Sequence, residues 1–236
     1  MSGQGTVLLL HGAGGGAWQW RDWLPVLRAA GWRARAHDLR PARDGLAATT
    51  LDDYQHQVAG WLADCPPHTA LVGASLGALL ALRAAAAAPG RVLAAVLVNP
   101  VPPGGLPDRR CREGWPDVVP WSRELPLART RASLPEADRD TVRWVHGQWR
   151  DESGQVMRAL CAGYRDAPPP VPLLVLCSGA DRTVPLAHCR ATAAWARCET
   201  LELAGSSHLG PLLGPQAPAV ARQVTDWLDA RLRTGP

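Results

Sequence analysis

The stretch Val72-Gly-Ala-Ser-Leu-Gly-Ala-Leu-Leu-Ala-Leu-Arg-Ala-Ala-Ala-Ala-Ala-Pro-Gly90 decides the fold. It joins an apolar run, Thr69 to Gly73, to an Ala/Leu-rich run, Leu76 to Ala88, that stops at Pro89-Gly90. The first has the length and apolarity of a buried strand, the second those of a helix. Between them Ser75 has a glycine two residues to either side, the G-x-S-x-G pattern. In such a strand-to-helix turn the serine backbone is strained and its hydroxyl exposed, and the small flanking residues let strand and helix approach. The five-residue pattern alone is weak, because glycine-rich turns are common in α/β proteins. Ser75 is a nucleophile or a small turn residue, and its surroundings must choose.

Outward from this turn, strands and helices alternate. Thr6 to Leu10 reads as a buried parallel strand ending at His11-Gly12. A helical pattern follows through Trp20, Trp23, Leu24 and Leu27 and closes at Gly31, before a weaker strand at Arg33 to His37. Thr50-Leu-Asp-Asp53 predicts a helix start, with threonine as N-cap and an acid three residues on. Its apolar positions, Tyr54, Val58, Trp61 and Leu62, recur at helical spacing. Further strands are expected at Val92 to Val98, Leu173 to Cys177 and Glu199 to Leu203, and helices near Leu186 to Ala196 and Pro218 to Arg231. This pattern predicts one α/β domain over 1–236, a mostly parallel sheet of about six strands with helices on both faces. The alternation breaks between about 101 and 167, a Pro- and Trp-rich segment with helical signals such as Glu136 to Trp149. An insertion of that length in a compact α/β domain reads as a cap over a site.

A serine becomes a nucleophile only when a base takes its proton and donors stabilise the oxyanion. The acid and the histidine are expected after it, in that order. Asp181 lies in Ser178-Gly-Ala-Asp-Arg-Thr-Val-Pro185, after one strand, and His208 in Ala204-Gly-Ser-Ser-His-Leu-Gly210, after the next. Functional groups in open α/β sheets gather at the carboxyl ends of strands, so Ser75, Asp181 and His208 are expected on one edge. The backbone N–H groups of Leu76 and Ala13 are the expected oxyanion donors, the second from the glycine-rich loop His11 to Gly16. That loop does not match a phosphate-binding pattern, and the chain has no lysine for one.

Composition narrows the alternatives. Hydrophobic content of 47% with 19% charged residues describes a soluble globular protein. Net charge is +4, and every basic residue is arginine, dispersed except for the small cluster Asp108 to Glu113. A nucleic-acid binder concentrates basic charge on one face, so none is expected as a partner. No apolar run is long enough for a membrane span, and the N-terminus has no basic leader region, so a cytoplasmic protein is expected. The six cysteines (Cys65, Cys111, Cys161, Cys177, Cys189, Cys198) show no zinc spacing and are read as reduced and structural. No metal or cofactor is implied. Eleven Trp, two Tyr, no Phe and no Lys suggest a GC-rich bacterial genome.

With these pieces assembled, the chain resembles the α/β-hydrolase superfamily over nearly its whole length. It is most similar to the small-esterase branch that includes plant methyl-ester esterases and hydroxynitrile lyases. The matching residues are His11-Gly-Ala-Gly-Gly-Gly-Ala-Trp-Gln-Trp20, Leu24 to Gly31, His37-Asp-Leu39, Thr50 to Tyr54, Leu71-Val-Gly-Ala-Ser-Leu-Gly77, Asp181 and Ser207-His208. Three features depart from that branch. Ala74 stands where a histidine is usual, the loop Asp38 to Asp44 lacks the glycine-rich form of relatives, and there is no lysine. The lyases use a lysine to stabilise the leaving cyanide, so the resemblance disfavours that activity. Serine at position 75 likewise disfavours the epoxide hydrolases and dehalogenases, whose nucleophile is aspartate. Some relatives carry the acid after the preceding strand, where this chain has Asn99; asparagine cannot stabilise an imidazolium by charge, so Asp181 is the stronger candidate.

The expected function is hydrolysis of a small-molecule carboxylic ester or thioester through an acyl-enzyme. Acyl transfer or cyclisation with the same triad is the alternative, and a non-catalytic ligand receptor a further one. Gly12, Gly14, Ala74, Trp115, Trp121, Trp144 and Trp149 are candidate substrate contacts, although the tryptophans would equally serve to pack the cap on the core. Arg123, Arg129, Arg131 and Arg143 are candidates for pairing with an acidic substrate group, or are simply solvated.

Overall fold

The computed structural model describes residues 5–104, 114–165 and 167–234. The arginine cluster with Cys111 and the first four residues lie outside them. Along the chain run β1 (Thr6–Leu10), α1 (Leu24–Ala29), β2 (Arg33–Ala36), α2 (Leu51–Ala63), β3 (Thr69–Ala74), α3 (Leu76–Ala87) and β4 (Val92–Val98). The inserted segment contributes β5 (Val118–Val119), α4 (Trp121–Glu124), α5 (Leu127–Ser133), α6 (Arg139–Gln148), β6 (Glu152–Ser153) and α7 (Gly154–Ala162). The alternation then resumes with β7 (Leu173–Ser178), α8 (Leu186–Ala196), β8 (Glu199–Leu203), α9 (Gly210–Leu213) and α10 (Ala217–Thr234).

Six strands form one parallel sheet in the order β2-β1-β3-β4-β7-β8. Its two faces are separate cores, because successive strand residues point to opposite sides. Leu8 and Leu10 of β1 pack with α2, α3 and α8, whereas Val7 and Leu9 pack with α1 and α10. The central strands β3 and β4 are buried at every position, as the unbroken apolar runs predict. The edge strands carry charge instead, Arg33 and Arg35 on β2 and Glu199 and Glu202 on β8. Exposed charge on an edge discourages pairing with another chain.

Local signals explain most boundaries. Thr50 accepts a hydrogen bond from the Asp53 N–H at 3.2 Å, and Asp53 accepts one from the Thr50 N–H at 2.8 Å, a complete capping box. The helical pattern from Trp20 to Gly31 is realised as a 3-10 turn (Ala17–Trp20) and a short α1 with Pro25 in its first turn. In the insertion, α6 starts three residues after Glu136, because Asp138 caps it by accepting from the Thr141 N–H at 2.7 Å. Strands β5 and β6 pair antiparallel, Val118 with Ser153 and Val119 with Glu152, which ties the two ends of the inserted helices together. Among the described residues no helix is long and apolar enough to cross a membrane.

Candidate active site

Ser75 joins β3 to α3 with φ 52° and ψ −110°, a left-handed conformation that costs a side-chain-bearing residue about 1–3 kcal/mol. Its N–H donates to the Val98 carbonyl at 2.9 Å, so the end of β4 holds the turn. The flanking glycines are required by contact. A Cβ on Gly73 would meet the Gly77 carbonyl oxygen at 2.1 Å, and one on Gly77 would meet the Leu10 carbonyl oxygen at 2.1 Å. Leu76 is the first residue of α3, where backbone N–H groups lack intrahelical partners and the helix dipole favours negative charge.

Asp181 and His208 meet across the loops after β7 and β8. Asp181 Oδ2 lies 2.7 Å from His208 Nδ1, and its Oδ1 accepts from the N–H groups of Thr183 (2.6 Å) and Val184 (2.9 Å). The carboxylate is fully buried at the side chain and held by three hydrogen bonds, two of them from backbone donors, so its orientation is fixed. Because an ionised carboxylate only accepts, Nδ1 carries the proton and Nε2 is left as the basic nitrogen. Asn99, also left-handed with φ 46°, does not address the imidazole. Its Nδ2 donates to the His208 carbonyl at 2.9 Å and its Oδ1 accepts from the Ser178 N–H at 3.0 Å, bracing the histidine backbone against the end of β7.

The loop after β1 is organised by two buried side chains. Gln19 Oε1 accepts from the Gly12 N–H at 2.9 Å, which commits that donor. His11 Nε2 accepts from the Leu39 N–H at 2.9 Å, so Nδ1 bears the proton and donates to the Gly12 carbonyl at 2.8 Å. Burial of the His11 ring lowers its pKa from 6.5 to about 4. Between these values the unfolded chain takes up a proton that the native ring refuses. The associated stability is therefore complete above about pH 6.5 and is lost as the pH falls toward 4, to about 3 kcal/mol in total. Urea unfolding at pH 7 and pH 4.5 should show this loss, and the acid sensitivity should shrink in His11→Gln; an equal sensitivity in both proteins would refute it.

Ser75 and His208 open onto a cavity of about 580 Å³ whose wall also includes Gly12, Ala13 and Ala74. The tryptophans Trp115, Trp121 and Trp149 line it as well. Two expected contacts lie elsewhere. Gly14 is withdrawn from the cavity: its N–H donates to Glu152 Oε2 at 2.9 Å, its carbonyl accepts from the Arg150 N–H at 2.8 Å, and Trp121 covers its α-carbon. Trp144 packs edge-on against Trp18 at 5.7 Å with the Arg21 guanidinium 3.9 Å over its ring, so it serves packing. Of the four insertion arginines named above, Arg129 lines the cavity, while Arg131 donates to the Ala137 carbonyl and Arg123 and Arg143 face Asp151 and Asp140. Among the described residues no group of three or more His, Cys, Asp or Glu is placed to hold a metal ion.

The insertion grips the loops that carry these groups. On one side Glu152 and Arg150 hold Gly14, and Glu152 Oε1 also accepts from the Tyr54 hydroxyl at 2.8 Å. Burial, with the neighbouring Glu152 carboxylate, pushes the Tyr54 phenol up, so it stays a donor. On the other side Glu136 Oε1 accepts from the Ser207 N–H at 2.9 Å, and the Ser133 carbonyl accepts from the Ser207 hydroxyl (2.8 Å) and the Leu209 N–H (3.0 Å). The residues before and after His208 are thus both tied to the insertion. Sequence reasoning missed Gln19, Glu136 and Glu152, and gave Asn99 no role.

The model of the Alpha/beta hydrolase family matches residues 7–223. None of the curated proteins compared matches the chain in sequence. Solved structures do match in shape. A methylesterase protein from Arabidopsis aligns with a TM-score of 0.75 at 20% identity, over 98% of this chain and 100% of its own. Tomato methylketone synthase I complexed with 2-tridecanone gives 0.74 at 17% identity, over 98% of each chain. A pyrethroid hydrolase from Sphingobium faniae gives 0.73 at 21%, over 96% of this chain and 98% of its own. The family match runs from β1 into α10, across every strand of the six-stranded sheet, and on that ground the chain belongs to the alpha/beta hydrolase family.

Proposed function

We propose that the protein is a serine hydrolase that cleaves a carboxylic ester or thioester, with residues 101–167 as a cap over its active site. The observation that carries this reading is the 2.7 Å His208–Asp181 pair facing the same cavity as a strained Ser75. Ser75 Oγ attacks the acyl carbon while His208 Nε2 takes its proton, and Asp181 holds the ring in the required tautomer. The N–H groups of Ala13 and Leu76 receive the oxyanion. Gly12 is committed to Gln19 and Gly14 to Glu152, whereas Ala13 lines the cavity beside Ser75, which supports it as the loop's donor for this task. His208 then protonates the departing alkoxide or thiolate. Water, deprotonated by His208, releases the acid and restores Ser75. A fluorophosphonate probe should label the protein, and labelling should vanish in Ser75→Ala; persistent labelling of that variant would overturn the assignment.

A second reading keeps the acyl-enzyme but passes it to an alcohol or amine. The three tryptophans of the cavity wall favour it, since an aromatic enclosure limits water. Product analysis with and without an added nucleophile separates the two.

Glu136 is a positioning residue in this mechanism. Glu136→Ala leaves the Ser207 N–H without its acceptor and frees one side of the histidine loop. The expected result is a kcat lower by about 10- to 100-fold with KM little changed. Glu136→Gln, which keeps an acceptor oxygen, should recover most of the rate. Equal losses in both variants would assign Glu136 a different role.

A further inference from the structure

The cavity combines an apolar wall with basic groups at its mouth. Most of its wall is apolar, supplied by residues such as Val98, Trp115, Trp121, Trp149 and Leu160. Two guanidinium groups also line it, Arg129 on α5 of the cap and Arg182 in the loop that carries Asp181. Both are exposed, so they stand at its mouth. Among the described residues, no aspartate or glutamate joins them in the lining; Asp181, next to Arg182, is turned inward and bound to His208.

Arg129 also differs from most arginines of the cap. Arg131 and Arg158 donate to the carbonyls of Ala137 and Trp115, and Arg150 donates to that of Leu39 beside Asp38. Arg123 and Arg143 face Asp151 and Asp140. Arg129 makes no ion pair among the described residues, and its charge is left facing the cavity mouth. An apolar passage with the Arg129 guanidinium at its mouth suits a substrate with an apolar stretch next to the scissile bond and an anion at its far end. Guanidinium groups bind carboxylate and phosphate oxygens with paired, directional hydrogen bonds.

We propose that the preferred substrate is an ester or thioester bearing a second, anionic group, a carboxylate or phosphate, that Arg129 receives at the cavity mouth, with Arg182 on the same rim. This rests on the serine-hydrolase reading above and adds to it the chemical class of substrate.

The test compares charged and neutral esters of matched length on the purified protein. For an anion on the acyl side, mono-p-nitrophenyl adipate is set against p-nitrophenyl hexanoate. For one on the leaving-group side, 4-(hexanoyloxy)benzoate is set against its methyl ester. In at least one pair the anionic ester should be preferred in kcat/KM by about tenfold, the scale of a hydrogen bond to a charged group. That ratio should fall toward unity in Arg129→Gln and Arg182→Gln, and as salt is raised. Arg129→Lys should retain part of it, which separates loss of charge from loss of fold. Competition by hexanoate and by hexyl phosphate distinguishes carboxylate from phosphate as the favoured anion. Cleavage of the neutral esters with no anionic preference in either pair, or a preference that survives both glutamine variants, overturns this inference and leaves the hydrolase reading standing. Absence of any Ser75-dependent cleavage would instead remove the reading on which it rests.

Discussion

Replacing Ser75 with alanine is expected to lower kcat toward p-nitrophenyl acetate by about 10⁴- to 10⁶-fold, the scale of nucleophile loss in serine hydrolases. The substitution removes one oxygen and leaves the turn as it is. Alanine is no more at ease than serine at φ 52°, and the Ser75 N–H bond to Val98 is made by the backbone. The thermal midpoint should therefore stay within about 2 °C, a shift small beside that of a destabilising core change. The proposed oxyanion donors of Ala13 and Leu76 are backbone groups that the substitution leaves in place, so a residual acceleration over water of about 10³-fold should survive. A variant that folds normally and keeps full activity would end the assignment.

Asp181→Asn should be nearly as costly, about 10⁴-fold in kcat, for a different reason. The buried carboxylate accepts three hydrogen bonds, from Thr183, Val184 and His208. Two of these fix one oxygen in place, so an asparagine would keep its carbonyl toward the Thr183 and Val184 N–H groups and turn its NH₂ toward His208. A donor facing Nδ1 makes that nitrogen an acceptor, moves the ring proton to Nε2 and removes the base from Ser75. The loss should show in kcat, with little change in the labelling-independent fold signals. Installing a carboxylate at the neighbouring strand end should not rescue it. Asn99 contacts the His208 carbonyl rather than the ring, so Asn99→Asp in the Asp181→Asn background sets an anion against a carbonyl oxygen. Recovery of activity in that double variant would refute this account of both residues.

The difference between those two strand ends illustrates what the sequence contains. β4 and β8 have the expected bounds to the residue and α8 lies where expected, because Asn99-Pro100 ends the apolar run of β4, Pro185 stands at the start of α8 and Ala204-Gly205 follows β8. Ser75, Asp181 and His208 are legible as candidates because chain order and strand ends place them together. Asn99 reads only as a missing acid, since its bond to His208 joins residues 109 apart. Glu136 and Glu152 act over separations of 71 and 138 residues, and nothing local in a Trp- and Pro-rich stretch announces which acids turn inward. The tryptophans show the same limit. Trp121 and Trp144 are alike in sequence, and only the packing of Trp144 under Arg21 takes it away from the cavity.

The double grip of the inserted segment has a consequence for how the molecule matures. The six strands of the sheet pair with one another through registers in which no residue of 101–167 takes part. The loops bearing His208 and Ala13, by contrast, are held by Ser133, Glu136, Arg150 and Glu152, so they reach their final placement only once the insertion has docked on the sheet. Refolding should therefore recover helical and strand signals before it recovers turnover. A protease cut within the insertion should silence the enzyme while most of its secondary structure survives.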